Sequence, residues 1–467
     1  MKQKSTSHPK PARRPRAFGI PTLRPNVAGI DVGSIQNFVC APAPDGATEI
    51  RVFGSTTPDL LDLLHWLQQS NVVSAALEST GVYWIPLFEL LESQGIEVIL
   101  TDARQLQRVP GRKTDATDCE WIQTLHSCGL LQACFRPEDR ICQLRSLTRA
   151  KATLIAERAD WLRRMQKALD QMNVRVHRAV SQIHGTTGMA IMRAIVAGER
   201  DPVVLAQFRD PRCHKSEASI AKELTGNWRL DHLFNLRQAL LMFDLINDRI
   251  GDYQAEIQRH IDSMRSPEAD SLPLPPVRSK EKAKAFKRRG QEPMRHSLHG
   301  LTGRDLTTID GVGVDTAEVI LSEYGPNLTR FPSEKQFVKH LRLAPRQNIT
   351  GGKPRKGKGA KSATIAGQAL RMAATTLNHS HTALGAYYRS IAAKKGSDVA
   401  VFATARKLAT LIYRMLRWGQ AYVDEGIAAF EHRYQQARLR RINSTADQLG
   451  YRLVPKSPLP DPVSNAS

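Results

Sequence analysis

No stretch of this 467-residue chain approaches the roughly 18 uninterrupted apolar residues of a membrane-spanning helix, which argues against a helical membrane protein and a membrane partner. Cysteine is sparse: Cys40, Cys119, Cys128, Cys134, Cys142 and Cys213 form no C-x-x-C pair, so neither a zinc ribbon nor a dithiol redox site is indicated. Reduced, mostly buried thiols in a cytoplasm are the expectation. Acid is in deficit. Lys and Arg number 67 against 45 Asp and Glu, a formal charge of +22 that favours a polyanion, nucleic acid first. Residues 1–26 contain no acid and are rich in Pro, Lys and Arg, so they read as a flexible basic arm; the apolar core of a secretory signal is missing. With 41% hydrophobic residues the remainder can bury sizeable cores, which excludes a disordered chain or a fibre.

What is present changes character along the chain. Three short apolar stretches, 27–32, 36–41 and 49–53, are punctuated by Gly33-Ser34 and Pro44-Asp45-Gly46 and predict an antiparallel meander. A helix starting at Thr57-Pro58, a strand over 72–77, a helix over 83–93, a strand over 96–100 and a helix over 115–128 complete a mixed α/β domain, residues 27–135. Beyond it strand signals vanish. Ile155, Leu162, Leu169 and Val176 recur every seventh residue, as do Leu236, Phe243, Ile250 and Ile257, so residues 136–265 predict a helical coiled-coil region, paired within the chain or with another subunit. A helical bundle core with no partner fits the same pattern. Residues 266–300 have the prolines and basic run of a linker, 301–445 form a mainly α C-terminal domain, and 446–467 a tail.

Four carboxylates stand out. Asp31 lies between apolar neighbours in the first strand, where a charge is costly unless a cation meets it, and Glu78 ends a later strand. Ligands gather at such strand ends in α/β sheets. Asp115 and Asp118, three apart at a helix start, share a face and follow Lys113. Singly, each acid has a plain alternative, such as a helix cap for Asp115 or a turn residue for Glu78. In this order they repeat the layout of the ribonuclease H-like nuclease core, able to hold two Mg²⁺ ions that clamp a phosphodiester during in-line displacement.

In the C-terminal region, the stretch from Leu306 to Gly313 followed by an apolar-spaced segment fits a helix-hairpin-helix, with Gly311 and Gly313 opening a turn that can hold a backbone phosphate; close helix packing is the competing explanation. Arg346, Lys353, Arg355, Lys356, Lys358 and Lys361 surround Thr350 without an acid, so this segment is expected against nucleic acid, or else as a solvated basic loop. Gly352 to Lys358 fits a phosphate-loop pattern, but Gly359 stands where Ser or Thr is needed, and that reading is rejected.

Together these motifs resemble the DEDD transposases of the insertion-sequence one-ten family, especially its eleven-eleven subgroup, over about residues 27–415. Gly29-Ile30-Asp31, Leu77-Glu78-Ser79-Thr80-Gly81 and Lys113-Thr114-Asp115-Ala116-Thr117-Asp118 look like the family's four-acid site, and Thr307 to Gly313 with Leu343-Ala344-Pro345 look like its C-terminal pattern. The resemblance implies a Holliday-junction-resolvase-like first domain, a coiled coil, and a C-terminal serine that links covalently to DNA. Here Thr350 precedes Gly351-Gly352-Lys353 where that serine is expected, with Ser362 as an alternative hydroxyl. A threonine can attack phosphorus, though its methyl group crowds the approach. The resemblance further implies double-stranded DNA partners (element ends and target), a structured noncoding guide RNA, a homo-oligomer (dimer or tetramer) and a bacterial cytoplasm at the nucleoid. The expected function is excision and insertion of a mobile element. A structure-specific junction endonuclease with water as nucleophile, or a noncatalytic nucleic-acid-binding protein, are the alternatives.

Overall fold

The structure is a computed structural model that describes residues 21–44, 46–78, 81–102, 115–270, 272–277, 279–344, 347–350, 353–356 and 363–454. The chain divides into two compact units, Met1–Arg136 and Pro137–Ser467.

The first unit is built on a five-stranded sheet of order β3-β2-β1-β4-β5, with β1 Val27–Val32, β2 Gln36–Pro42, β3 Thr48–Gly54, β4 Ser74–Glu78 and β5 Glu97–Thr101. The β1, β2 and β3 strands form the antiparallel meander expected from the turn residues. Gly33 closes its first turn by donating to the Gln36 carbonyl (3.1 Å), and Gly46 takes a left-handed φ of +77° in the second. β4 and β5 then run parallel to β1, with Ile30 opposite Leu77 and Glu78 opposite Thr101. Strand alternation sorts the two faces. Ala28, Ile30, Ala75, Leu77 and Leu100 pack against helices α1 (Thr57–Gln69) and α2 (Trp84–Ser93), while Ala76 and Ile99 meet Ile122 of helix α3 (Asp115–Ser127).

Two features hold α3 on the sheet. Gly29 has no side chain because none fits: a Cβ there would lie 2.2 Å from the Gln123 amide nitrogen and 2.3 Å from the Cys119 carbonyl oxygen. At the other end, the buried His126 ring shares a 2.9 Å hydrogen bond with the Ser74 hydroxyl. Burial, assisted by the Arg24 charge, pushes that imidazole down to about 4, so it stays neutral around pH 7.

Among the described residues, the second unit is helical apart from one hairpin. Helices α4 (Asp139–Gln171) and α9 (Leu230–Asp262) are each 33 residues, about 50 Å long at 1.5 Å per residue. They lie antiparallel, as the bonds Lys151 Nζ to Gln254 Oε1 (2.7 Å), Arg158 to Asn247 Oδ1 (2.9 Å) and His260 Nε2 to the Arg140 carbonyl (2.8 Å) require. Four shorter helices, α5 (Val176–Ala179), α6 (Thr186–Ala197), α7 (Pro202–Gln207) and α8 (Glu217–Leu224), connect them and share a core with Met165, Leu169, Leu236, Ala239 and Phe243. The α9 heptad residues Leu236, Phe243 and Ile257 are buried. The α4 series is mixed: Leu169 and, in α5 beyond the long helix, Val176 are buried, while Ile155 is 41% exposed on a stretch where Lys151 and Arg158 bond to α9 through polar atoms.

Residues 266–300, which composition suggests as a linker, contain helices α10 (Pro267–Asp270), α11 (Lys280–Arg288) and α12 (Glu292–Thr302). Pro293 is compatible with helix because it sits in the first turn, where its missing N–H goes unused, and the Lys-rich α11 is amphipathic, with Phe286 as its buried anchor. Helices α13 (Val314–Tyr324), α14 (Glu334–His340), α15 (Ile365–Thr376), α16 (Ala383–Lys395), α17 (Ser397–Trp418) and α18 (Gln420–Gln448) follow. Ion pairs join them to the long helices: Lys151 meets Glu318 of α13 in a buried pair, and Arg149, half-exposed, donates twice to Glu323 (2.8 and 2.9 Å). Among the described residues no helix is long and apolar enough to cross a membrane.

Candidate functional site

The parallel register determines where the acids fall. Since Ile30 faces Leu77, the next residues, Asp31 and Glu78, occupy adjoining positions at the carboxyl ends of β1 and β4. Both follow, by two residues, positions that face α3, Gly29 and Ala76, so alternation turns them to that side of the sheet. Both are half-buried. Asp118 lies in the first turn of α3 and is half-buried as well. The Cys119 thiol, next to it, is pushed up to about 12, chiefly by burial, then by Cys40, with a further contribution from the Asp31 charge. Glu120, on the same turn, has its carboxyl raised by burial.

Asp115 is the first residue of α3, and its side chain lies outside the described residues, as does all of Lys113. Among the described residues, no group of three or more His, Cys, Asp or Glu side chains stands close enough to hold a metal ion. The backbone brings Asp31 and Glu78 to one sheet edge and sets the start of α3 on that face; it does not gather the described acids into a closed cage.

In the second unit, a glycine-containing turn precedes α13. A 3-10 turn, Leu306–Thr308, leads to Gly311 at a φ of +83°, which only glycine adopts without strain, and Gly313 is the N-cap residue of α13. A Cβ at Gly313 would meet nothing within 4 Å, so its surroundings are open. The Lys282 ammonium donates to the carbonyls of Thr307 (2.5 Å) and Val312 (2.9 Å), placing a positive charge against this turn. Arg295, buried, donates to Asp305 (2.9 Å) and to the Thr307 hydroxyl (3.2 Å) and so anchors the turn from α12. Neither contact has a sequence signal, because both partners come from the proline- and lysine-rich stretch that composition assigns to a linker.

The segment around Thr350, expected against nucleic acid or else as a solvated basic loop, is an antiparallel hairpin of β6 (Gln347–Thr350) and β7 (Lys353–Lys356), with Thr350 opposite Lys353. The side chains of Thr350, Lys353, Arg355 and Lys356 are outside the described residues, and Arg346, Lys358, Lys361 and Ser362 fall there entirely.

Comparison with known families gives two matches. Residues 28–174 match a transposase family model, DEDD_Tnp_IS110, and residues 303–389 match the transposase IS116/IS110/IS902 family. No curated protein matches the chain.

Proposed function

Because the chain belongs to the IS110 family of DEDD transposases and is a DNA transposase, we propose that it excises and inserts its own element by metal-assisted attack of a hydroxyl on DNA phosphate. The observation that supports this reading is the placement of Asp31 and Glu78 side by side at the carboxyl edge of a mixed sheet, with the helix bearing Asp115 and Asp118 packed on the same face.

The family implies a divalent metal. The donor set suits it, since all four side chains are carboxylates, the hard oxygen ligands that Mg²⁺ takes. Asp31, Glu78, Asp115 and Asp118 would hold it, as two ions. When bound, the metal polarises the scissile phosphate and neutralises charge on its oxygens. The chain's own residues do the rest. Lys113 contacts the nearby backbone phosphate. Thr350 supplies the nucleophile: its Oγ–P bond forms as the bridging P–O bond to one sugar breaks, the Thr350 proton is lost, and the freed sugar oxygen leaves as a hydroxyl. Attack of such a hydroxyl on the covalent intermediate rejoins DNA and releases Thr350. The turn at Gly311 and Gly313, read as a helix-hairpin-helix, and the cations Arg346, Lys353, Arg355, Lys356, Lys358 and Lys361 hold phosphates and set the register of the duplex without reading its sequence.

In this reading residues 27–135 form a ribonuclease H-like catalytic domain, 136–265 a coiled coil that associates subunits, and 301–445 the C-terminal transposase domain, with 1–26, 266–300 and 446–467 as arm, connector and tail. A structured RNA from the element selects the donor and target by base pairing. The work is done in a bacterial cytoplasm, at the nucleoid.

The test is a covalent adduct. Purified protein incubated with Mg²⁺, element-junction DNA and the flanking transcript should yield a protease-sensitive protein–DNA species that disappears in Thr350→Ala and persists in Thr350→Ser. An adduct that survives Thr350→Ala and vanishes in Ser362→Ala would move the nucleophile. Cut DNA with no adduct would identify a junction nuclease instead.

A further inference from the structure

Thr101 is a residue to which the sequence gives no reason to attend. It ends β5 directly opposite Glu78, and it follows by two residues Ile99, which packs toward α3. Alternation therefore puts Asp31, Glu78 and Thr101 in one row, across β1, β4 and β5, on the face that α3 covers. Thr101 has no solvent exposure, and its hydroxyl has no hydrogen-bond partner among the described residues. A buried hydroxyl without a partner is a net loss to the fold, and valine of the same shape would remove that loss.

We infer that Thr101 is a positioning residue of the carboxylate site: in the metal-loaded state its hydroxyl donates to the Glu78 carboxylate and fixes which oxygen faces the cation. Neighbouring strands lie about 4.8 Å apart, which brings a threonine hydroxyl within hydrogen-bonding reach of a carboxylate on the opposite residue. A carboxylate that accepts such a bond is held in one orientation and loses less freedom when it binds a cation. The apolar side chains grouped on this face, Ala76, Ile99 and Ile122, cannot accept the proton, whereas the carboxylate of Glu78, directly opposite, can. The inference rests on the proposed metal role of Asp31 and Glu78, and the experiment separates the two.

Full-length wild type, Thr101→Val, Thr101→Ser and Asp31→Asn are titrated with MnCl₂ alone, free Mn²⁺ being read by electron paramagnetic resonance, and each melting temperature is recorded in metal-free buffer. Thr101→Val is expected to melt no lower than wild type yet to bind Mn²⁺ about 10- to 100-fold more weakly, the range for loss of a supporting hydrogen bond. Thr101→Ser should restore binding. Wild-type Mn²⁺ affinity in Thr101→Val, or a melting temperature well below wild type, would overturn the inference. If Asp31→Asn loses Mn²⁺ while Thr101→Val does not, only Thr101 is misassigned. If Asp31→Asn binds as wild type does, the carboxylate reading fails with it.

Discussion

Asp31→Asn is expected to lower Mg²⁺-dependent DNA joining about a thousandfold, equivalent to about 4 kcal/mol in the barrier, without lowering the melting temperature. Asparagine keeps the shape and most of the hydrogen-bonding capacity of aspartate and removes only the charge. That charge sits half-buried at the end of a strand whose other residues are all buried, an arrangement that favours the fold little and a cation strongly. Because the variant keeps the basic surface, DNA binding in a gel-shift assay should stay within a few-fold of wild type. A variant that joins DNA at the wild-type rate would remove Asp31 from the chemistry and favour a protein that only binds nucleic acid.

Gly29→Ala should be nearly as damaging, by a different route. The added methyl would overlap backbone atoms of α3 at 2.2 and 2.3 Å, and backbone cannot rotate aside as a flexible side chain can. Overpacking of this kind costs about 1–3 kcal/mol even where side chains yield, so a larger loss is expected here. Relief requires α3 to lift from β1, taking Asp115 and Asp118 with it. A displacement of about 1 Å is worth about 100-fold in rate. Gly251→Ala, at an exposed position within α9, is the control, since its Cβ meets nothing within 4 Å and its helical backbone suits any residue. The pair is measured by urea denaturation and by DNA joining. Equal stability and activity in Gly29→Ala would show that α3 is not seated as described.

Much of the first unit could be read before its structure was known, because its signals are local. Gly33-Ser34 and Pro44-Asp45-Gly46 mark turns by their own chemistry, and the apolar stretches between them have the length of strands. Asp31 is conspicuous for the same reason, a lone charge in an apolar run. Glu78 needed the further idea that ligands collect at strand ends, and its place beside Asp31 comes only from the strand register. Thr101 was hidden, since a threonine in a strand is ordinary and only its burial without a partner among the described residues sets it apart.

In the second unit, composition misled where tertiary contacts decide. Lys280 to Arg289 has the composition of a linker, yet α11 forms there, with Phe286 buried and Lys282 bonded to two carbonyls. Ile155 keeps heptad spacing but stays exposed, on a stretch where Lys151 and Arg158 bond to α9 through hydrogen bonds that a count of apolar residues overlooks. The β6–β7 pairing was masked by its Lys and Arg content, since basic side chains obscure the alternation by which strands are recognised.

The central claim, that Asp31, Glu78 and the α3 acids hold a divalent metal at a DNA phosphate, is tested most directly by anomalous diffraction at the manganese edge. Crystals of the full-length protein assembled with element DNA and soaked in Mn²⁺ are required. The account predicts manganese within about 2.0–2.2 Å of oxygens from Asp31 and Glu78, the bond length of a small hard cation, and beside a DNA phosphate. Manganese bound elsewhere, with these carboxylates splayed out of reach in the assembled complex, would contradict it.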